Sequence, residues 1–256
     1  MSSESMDSIE CHKEGKPKKC PPAQPSWWRI ICQASIAAFL TTYIYSVLAW
    51  PALVVYTHYG AGLGLYGFGA LNAAVLFGLG LVFNQFGGWI YFLGNLAFTE
   101  FFCCELRRPW MLGVKALVGS IFALGGYYAG LATAIGIYSF SLHRISPVSH
   151  LGWGGTFFFE MIAILLTTLV YCFSSREYSG VWGVLGIAVV QGAIYTLLYP
   201  VIGIAGNWWL TAATCSLIGN CNHVGLWAKL VGGIVAIIVV AIVKFFFWPV
   251  AKLKMM

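Results

Sequence analysis

The stretch Tyr91-Phe92-Leu93-Gly94-Asn95-Leu96-Ala97-Phe98 is apolar but too short to cross a bilayer. A second stretch of this kind, Asn207-Trp208-Trp209-Leu210-Thr211-Ala212-Ala213, lies at the corresponding place in the second half of the chain. Each follows a glycine-containing break, Gly87-Gly88 in the first half and Gly203-Ile204-Ala205-Gly206 in the second. Interrupted apolar segments at matching places in two halves indicate a pathway built where the two repeats meet.

Six longer apolar segments surround the two short ones, and each has about the 20 residues that a membrane span needs. We place the spans at 28–56, 64–85, 110–137, 155–173, 181–202 and 224–248, and the short segments at 90–103 and 207–217. The sequence therefore predicts an all-α integral membrane protein with six transmembrane helices and two half-helices. The halves, about 27–140 and 150–250, form an inverted repeat within one transmembrane domain, 27–256.

Composition agrees with a protein that lies mostly in lipid. The chain is 60% hydrophobic and 9% charged, with mean hydropathy +0.82, whereas soluble domains carry about 25% charged residues. The net charge of +6 comes mainly from lysines near the two ends, which favours anchoring at the cytoplasmic face over nucleic-acid binding. We expect residues 1–26 to be a disordered tail, with both termini cytoplasmic.

No motif in the sequence points to catalysis, a metal or a cofactor. Cys11 and Cys20 flank a lysine cluster without histidines at zinc-like spacing, and no acid and nucleophile accompany the histidines. We therefore expect no enzyme activity. Cys215 and Cys221 bracket a five-residue loop, and a disulfide between them requires that loop to be extracytoplasmic. The sequence leaves that question open.

Four span sequences carry a family resemblance. They are Ala38–Tyr43 in span one, Val114–Gly126 in span three, Phe158-Phe159-Glu160-Met161 in span four and Tyr199-Pro200-Val201-Ile202-Gly203 in span five. In order and pattern they resemble the aquaporin and glycerol-facilitator superfamily over about 220 residues. The resemblance implies an aquaporin-like bundle. It also implies that Glu160 supports the loop that carries the second half-helix, while the corresponding glutamate of span one is absent.

The signature motifs of that family are degenerate here. Each half-helix in the family begins with asparagine-proline-alanine, and the corresponding triplets are Tyr91-Phe92-Leu93 and Asn207-Trp208-Trp209. Only the asparagine of the second motif remains. Asn207 still has a side chain that caps a helix N-terminus, which Tyr91 lacks.

The resemblance also assigns the constriction of the pathway. The family's arginine falls on Leu210, its histidine on Tyr195, and the two remaining positions near Leu71 and Ile204. These four side chains offer one hydroxyl, and water that leaves a hydrogen bond unmade in apolar surroundings loses several kcal/mol. Hydrophobic constrictions of this kind close by dewetting, so we expect low water permeability.

Two functions remain open at this point. One is a divergent channel for water or small neutral solutes, with low or altered permeability. The other is a non-conducting structural subunit of a larger membrane assembly that keeps the scaffold. The expected partners are the lipid bilayer and either further copies of this chain, a tetramer by resemblance, or other membrane subunits. The radius and polarity of the central path distinguish the two functions.

Overall fold

The computed structural model describes residues 26–58, 64–94, 96, 99, 109–138, 151–177, 180–218 and 222–247. Seven α-helices lie in these ranges: α1 (Trp27–His58), α2 (Leu65–Phe83), α3 (Pro109–Tyr138), α4 (Trp153–Glu177), α5 (Val181–Ile202), α6 (Trp208–Ile218) and α7 (His223–Phe247). All except α6 are long and apolar enough to cross a membrane. The prediction of six spans in an all-helical protein is therefore confirmed for the described residues.

The helices pack in the same way in each half. In the first half α1 packs on α2 and extensively on α3, and in the second half α4 packs on α5 and on α7. The two second spans, α2 and α5, pack on each other. Their crossing depends on glycine, because a Cβ added at Gly192 would lie 2.5 Å from the carbonyl oxygen of Gly69. Such close backbone approach is a general basis of helix packing in lipid.

The first break differs in detail from the sequence-based expectation. After α2 the chain forms two short 3-10 turns, Asn84–Phe86 and Trp89–Phe92, separated by Gly87 with φ 68°. Leu93 is extended, and the next helical residue is Gly94. The helical part of this segment thus begins three residues after Tyr91. Without a capping side chain or a proline, nothing in the triplet Tyr91-Phe92-Leu93 starts a helix earlier.

The second break follows the expectation closely. The helix α5 ends at Ile202, Gly203 and Gly206 take positive φ values of 70° and 68°, and α6 begins at Trp208. The 11 residues of α6 extend about 16 Å, roughly half the hydrocarbon thickness of a bilayer. The helix packs on α7 and on α3 of the other half, and most of its side chains are buried.

Candidate functional site

Aromatic side chains fill the interior of the bundle where the two breaks meet. The rings of Tyr45 and Tyr127 meet edge to face at 6.2 Å between centroids, and Phe68 meets Tyr195 in the same way at 5.5 Å. Phe92 lies 6.4 Å from Tyr45. All five side chains are fully buried members of one apolar cluster, which we call the aromatic core.

A chain of hydrogen bonds crosses the aromatic core between the two breaks. The Asn207 side-chain amide donates to the Tyr127 hydroxyl at 2.8 Å, and that hydroxyl donates to the Phe92 carbonyl at 2.6 Å. Nearby, the Tyr45 hydroxyl donates to Asn72 Oδ1 at 2.6 Å. Tyr127 of α3 therefore holds the first break to the residue that opens α6.

Asn207 also caps α6. Its Oδ1 atom accepts the backbone N–H of Leu210 at 3.0 Å, which satisfies one of the unpaired donors of a helix N-terminus. The cap expected from the sequence is present, and the amide group of the same side chain donates to the Tyr127 hydroxyl. One residue thus fixes both the start of α6 and its distance from the first break.

We expect Asn207→Ala to lower the free energy of unfolding by at least the roughly 0.5–2 kcal/mol that the loss of an N-cap typically costs. Asn207→Ser is the matched variant, because serine caps about as well as asparagine but does not reach Tyr127. Denaturant unfolding in mild detergent measures both. A serine variant as unstable as the alanine variant would show that the Tyr127 contact, not the cap, carries the effect.

Three of the four expected constriction residues lie together. Tyr195, Ile204 and Leu210 are fully buried in the aromatic core cluster. Leu71 is 37% exposed and lies outside that cluster. Because Phe68 and Asn72 define the buried face of α2, helical periodicity turns Leu71 away from it. Phe68 is the residue of α2 that meets Tyr195.

The two tryptophans of the second motif point in different directions. Trp208 packs in a separate cluster with Ile164 of α4 and Ala236 and Ile237 of α7. Trp209 is half-buried against the aromatic core, and its ring would lie 2.7 Å from a Cβ added at Gly94. Trp208 therefore lies outside the aromatic core, although it belongs to the second motif triplet.

A buried acid and a buried base hold the loop before α6. Glu160 of α4 and Lys229 of α7 are 0% and 1% exposed, and both bond the same loop. Glu160 Oε1 accepts the backbone N–H of Gly206 at 3.0 Å, and the Lys229 ammonium donates to the carbonyl of Ile204. The loop is thus bonded through a donor and an acceptor to two different spans.

Sequence reasoning missed Lys229, although a signal for it exists. Lys229 is the seventh residue of α7, and Lys115 is the seventh residue of α3, the corresponding span of the first half. The Lys115 ammonium lies 5.8 Å from the centre of the Tyr91 ring, beside the first break. Matching lysines in the third span of each half therefore both face the break of their own half.

The first break has no acid to match Glu160 among the described residues packed against it. Gly88 instead lies directly on α1, where an added Cβ would be 2.6 Å from Ala37 Cβ and 2.7 Å from the Ala38 nitrogen. Ala38 stands where the family resemblance expects a glutamate. Close backbone contact therefore holds the first break in position, whereas Glu160 and Lys229 hold the second.

Two further expectations concern cysteines and metals. Cys215 in the last turns of α6 is disulfide-bonded; Cys221 lies outside the described residues, as do residues 1–25 of the expected tail. Within the ranges that the structure describes, no three histidine, cysteine, aspartate or glutamate side chains are placed to hold a metal ion.

No protein-family model matches the sequence, and no curated protein matches it.

Proposed function

We propose that the protein is a divergent, aquaporin-like membrane protein in which the path between the two half-helices is closed. Three features support this architecture: the repeated packing of the spans, the length of α6, and the contact of Trp209 with Gly94 where the two short segments meet. The half-helices would then be related by a pseudo-two-fold axis in the membrane plane.

The aromatic core is the observation that carries the proposed lack of conduction. It occupies the interior around both breaks, which is where the resemblance implies a pathway. Tyr195 belongs to it, and Ile204 and Leu210, both 0% exposed, lie in the same buried cluster. A single-file water path needs both room and wall groups that replace the hydrogen bonds of water. The packed rings supply neither in this conformation.

The favoured function is therefore that of a non-conducting structural subunit. Its exposed apolar faces would contact lipid and either further copies of the chain or other membrane subunits. In that case selection acts on the outer surface of the bundle and on its stability, and the interior is free to become a packed core like that of any helical bundle.

A gated channel for a small neutral solute is the second candidate, and one observation favours it. The side-chain amide nitrogen of Asn72 lies fully buried in the interior and forms no hydrogen bond with a described residue. Polar groups left unpaired within a core are unfavourable, and they would line a path if the rings moved apart.

The disulfide supports an orientation for the proposed protein. Disulfides persist in oxidising compartments, so the C-terminal end of α6 would face away from the cytoplasm. With six spans, that orientation puts both termini on the cytoplasmic side. It agrees with the concentration of lysines near the ends of the chain.

Osmotic swelling of proteoliposomes tests the proposed function. We expect liposomes with the purified protein to swell at the rate of protein-free liposomes, because the aromatic core blocks a water path. The control is an equal density of a water channel with both asparagine-proline-alanine motifs. Swelling as fast as that control would refute the closed path, whereas rapid uptake of glycerol or urea alone would favour the gated channel.

A further inference from the structure

Two buried oxygen atoms beside the second break form no hydrogen bond with a described residue. They are Oε2 of Glu160 and Oε1 of Gln191. Both side chains are 0% exposed. Unpaired buried polar atoms are uncommon in folded proteins, and each needs an explanation such as an unseen water or ion.

The two groups converge on the loop that precedes α6. Glu160 bonds Gly206 through its other carboxylate oxygen at 3.0 Å. A Cβ added at Gly206 would lie 3.4 Å from Nε2 of Gln191 and 3.7 Å from its Oε1. The absence of a side chain at Gly206 keeps this space open.

The orientation of the Gln191 amide follows from its neighbour. The Thr167 hydroxyl donates its single proton to the Ala163 carbonyl at 2.9 Å. It therefore accepts from Gln191, whose Nε2 lies at 2.8 Å. The amide oxygen of Gln191 is then the atom left without a partner, because the opposite orientation of the amide would place two acceptors, Gln191 Oε1 and Thr167 Oγ1, against each other.

The chemistry of the two groups defines what would satisfy them. The carboxyl and amide oxygens accept hydrogen bonds. The Lys229 ammonium already bonds the same loop, so an additional cation is not required. A neutral molecule with two donors fits, and water makes two to four hydrogen bonds in such sites.

We propose that a buried water molecule occupies this space. It donates to Oε2 of Glu160 and Oε1 of Gln191. The water lies beside the closed path and belongs to the support of the second break, so it does not depend on whether the protein conducts.

Infrared difference spectra in ordinary and oxygen-18 water test the proposal on the intact protein in liposomes. We expect a sharp O–H stretching band, shifted by the isotope, from a water that is weakly coupled to bulk solvent. The band should be lost in Gln191→Leu. Ser35→Ala is the control, because it removes another buried, unpaired hydroxyl and should leave the band intact.

A high-resolution density map gives an independent measurement should Gln191→Leu fail to fold. The proposal expects a peak within about 3.2 Å of both acceptor oxygens. A band that persists in Gln191→Leu, or a map in which the two oxygens approach within hydrogen-bond distance of each other without a peak, would overturn it. Thermal stability that rises with sodium or potassium concentration would instead assign a cation and would also refute the water.

Discussion

Lys229→Met is expected to lower the free energy of unfolding by about 3–5 kcal/mol, the loss that is typical when one of two opposite buried charges is removed. The methionine keeps most of the volume of lysine but leaves Glu160 without an opposite charge nearby and Ile204 without a donor. Glu160→Gln should have a loss of similar size, because it leaves the buried Lys229 ammonium without an opposite charge nearby. Denaturant unfolding in mild detergent measures both changes.

The double variant Glu160→Gln, Lys229→Met provides the decisive comparison. Its loss should be well below the sum of the two single losses, because neither charge is left alone and the glutamine still accepts from Gly206. Leu197→Ala, an exposed position on α5, controls for general sensitivity of the bundle. Additive losses would show that Glu160 and Lys229 hold the loop independently and do not act as a pair.

Opening the aromatic core is expected to produce the largest functional change. The double variant Tyr127→Ser, Tyr195→His should raise osmotic water permeability several-fold above that of the parent protein. Two rings would be removed or reduced, and a hydroxyl and an imidazole would remain to replace the hydrogen bonds of water. Stopped-flow swelling of proteoliposomes at equal protein density measures the change.

Trp208→Ser is the matched control for this experiment. It removes a large buried ring and should lower the free energy of unfolding by about 3–5 kcal/mol, as does the loss of other core aromatic side chains. The ring of Trp208, however, packs between α4 and α7 outside the aromatic core. It should leave permeability at the parent level. Equal permeability in the control and the double variant would indicate leakage through a loosened bundle and would contradict a path through the core.

Length and hydropathy were sufficient to predict most of the fold. The six predicted spans differ from the helices of the structure by only a few residues, because a run of about 20 apolar residues usually forms a transmembrane helix. The start of α6 was predictable as well, since Asn207 has the chemistry of a cap and two flexible glycines precede it. The first break lacks such a residue, and its helical start was placed three residues too early.

The candidate site was harder to predict because its contacts join distant parts of the chain. Leu71 and Phe68 are equally apolar, and only the rotation of α2 decides which one meets Tyr195. Tyr127 is one of many apolar and aromatic residues in α3, and its role depends on Phe92 and Asn207. Lys229 near a span end suggests snorkelling until its contact with the loop is known.

The base in the last span has a consequence for biogenesis. The ribosome completes α4, which contains Glu160, well before it reaches α7, which contains Lys229. Glu160 is therefore without Lys229 while the intervening chain is made. A lysine in an inserting helix adds to the free energy of insertion, up to about 2.5–3.5 kcal/mol when it lies at the helix centre. The helix α7 contains the most apolar window of the six spans, which offsets this term. The loop before α6 completes its hydrogen bonds only when α7 has inserted. Membrane insertion of the last helix and completion of these bonds are therefore one event.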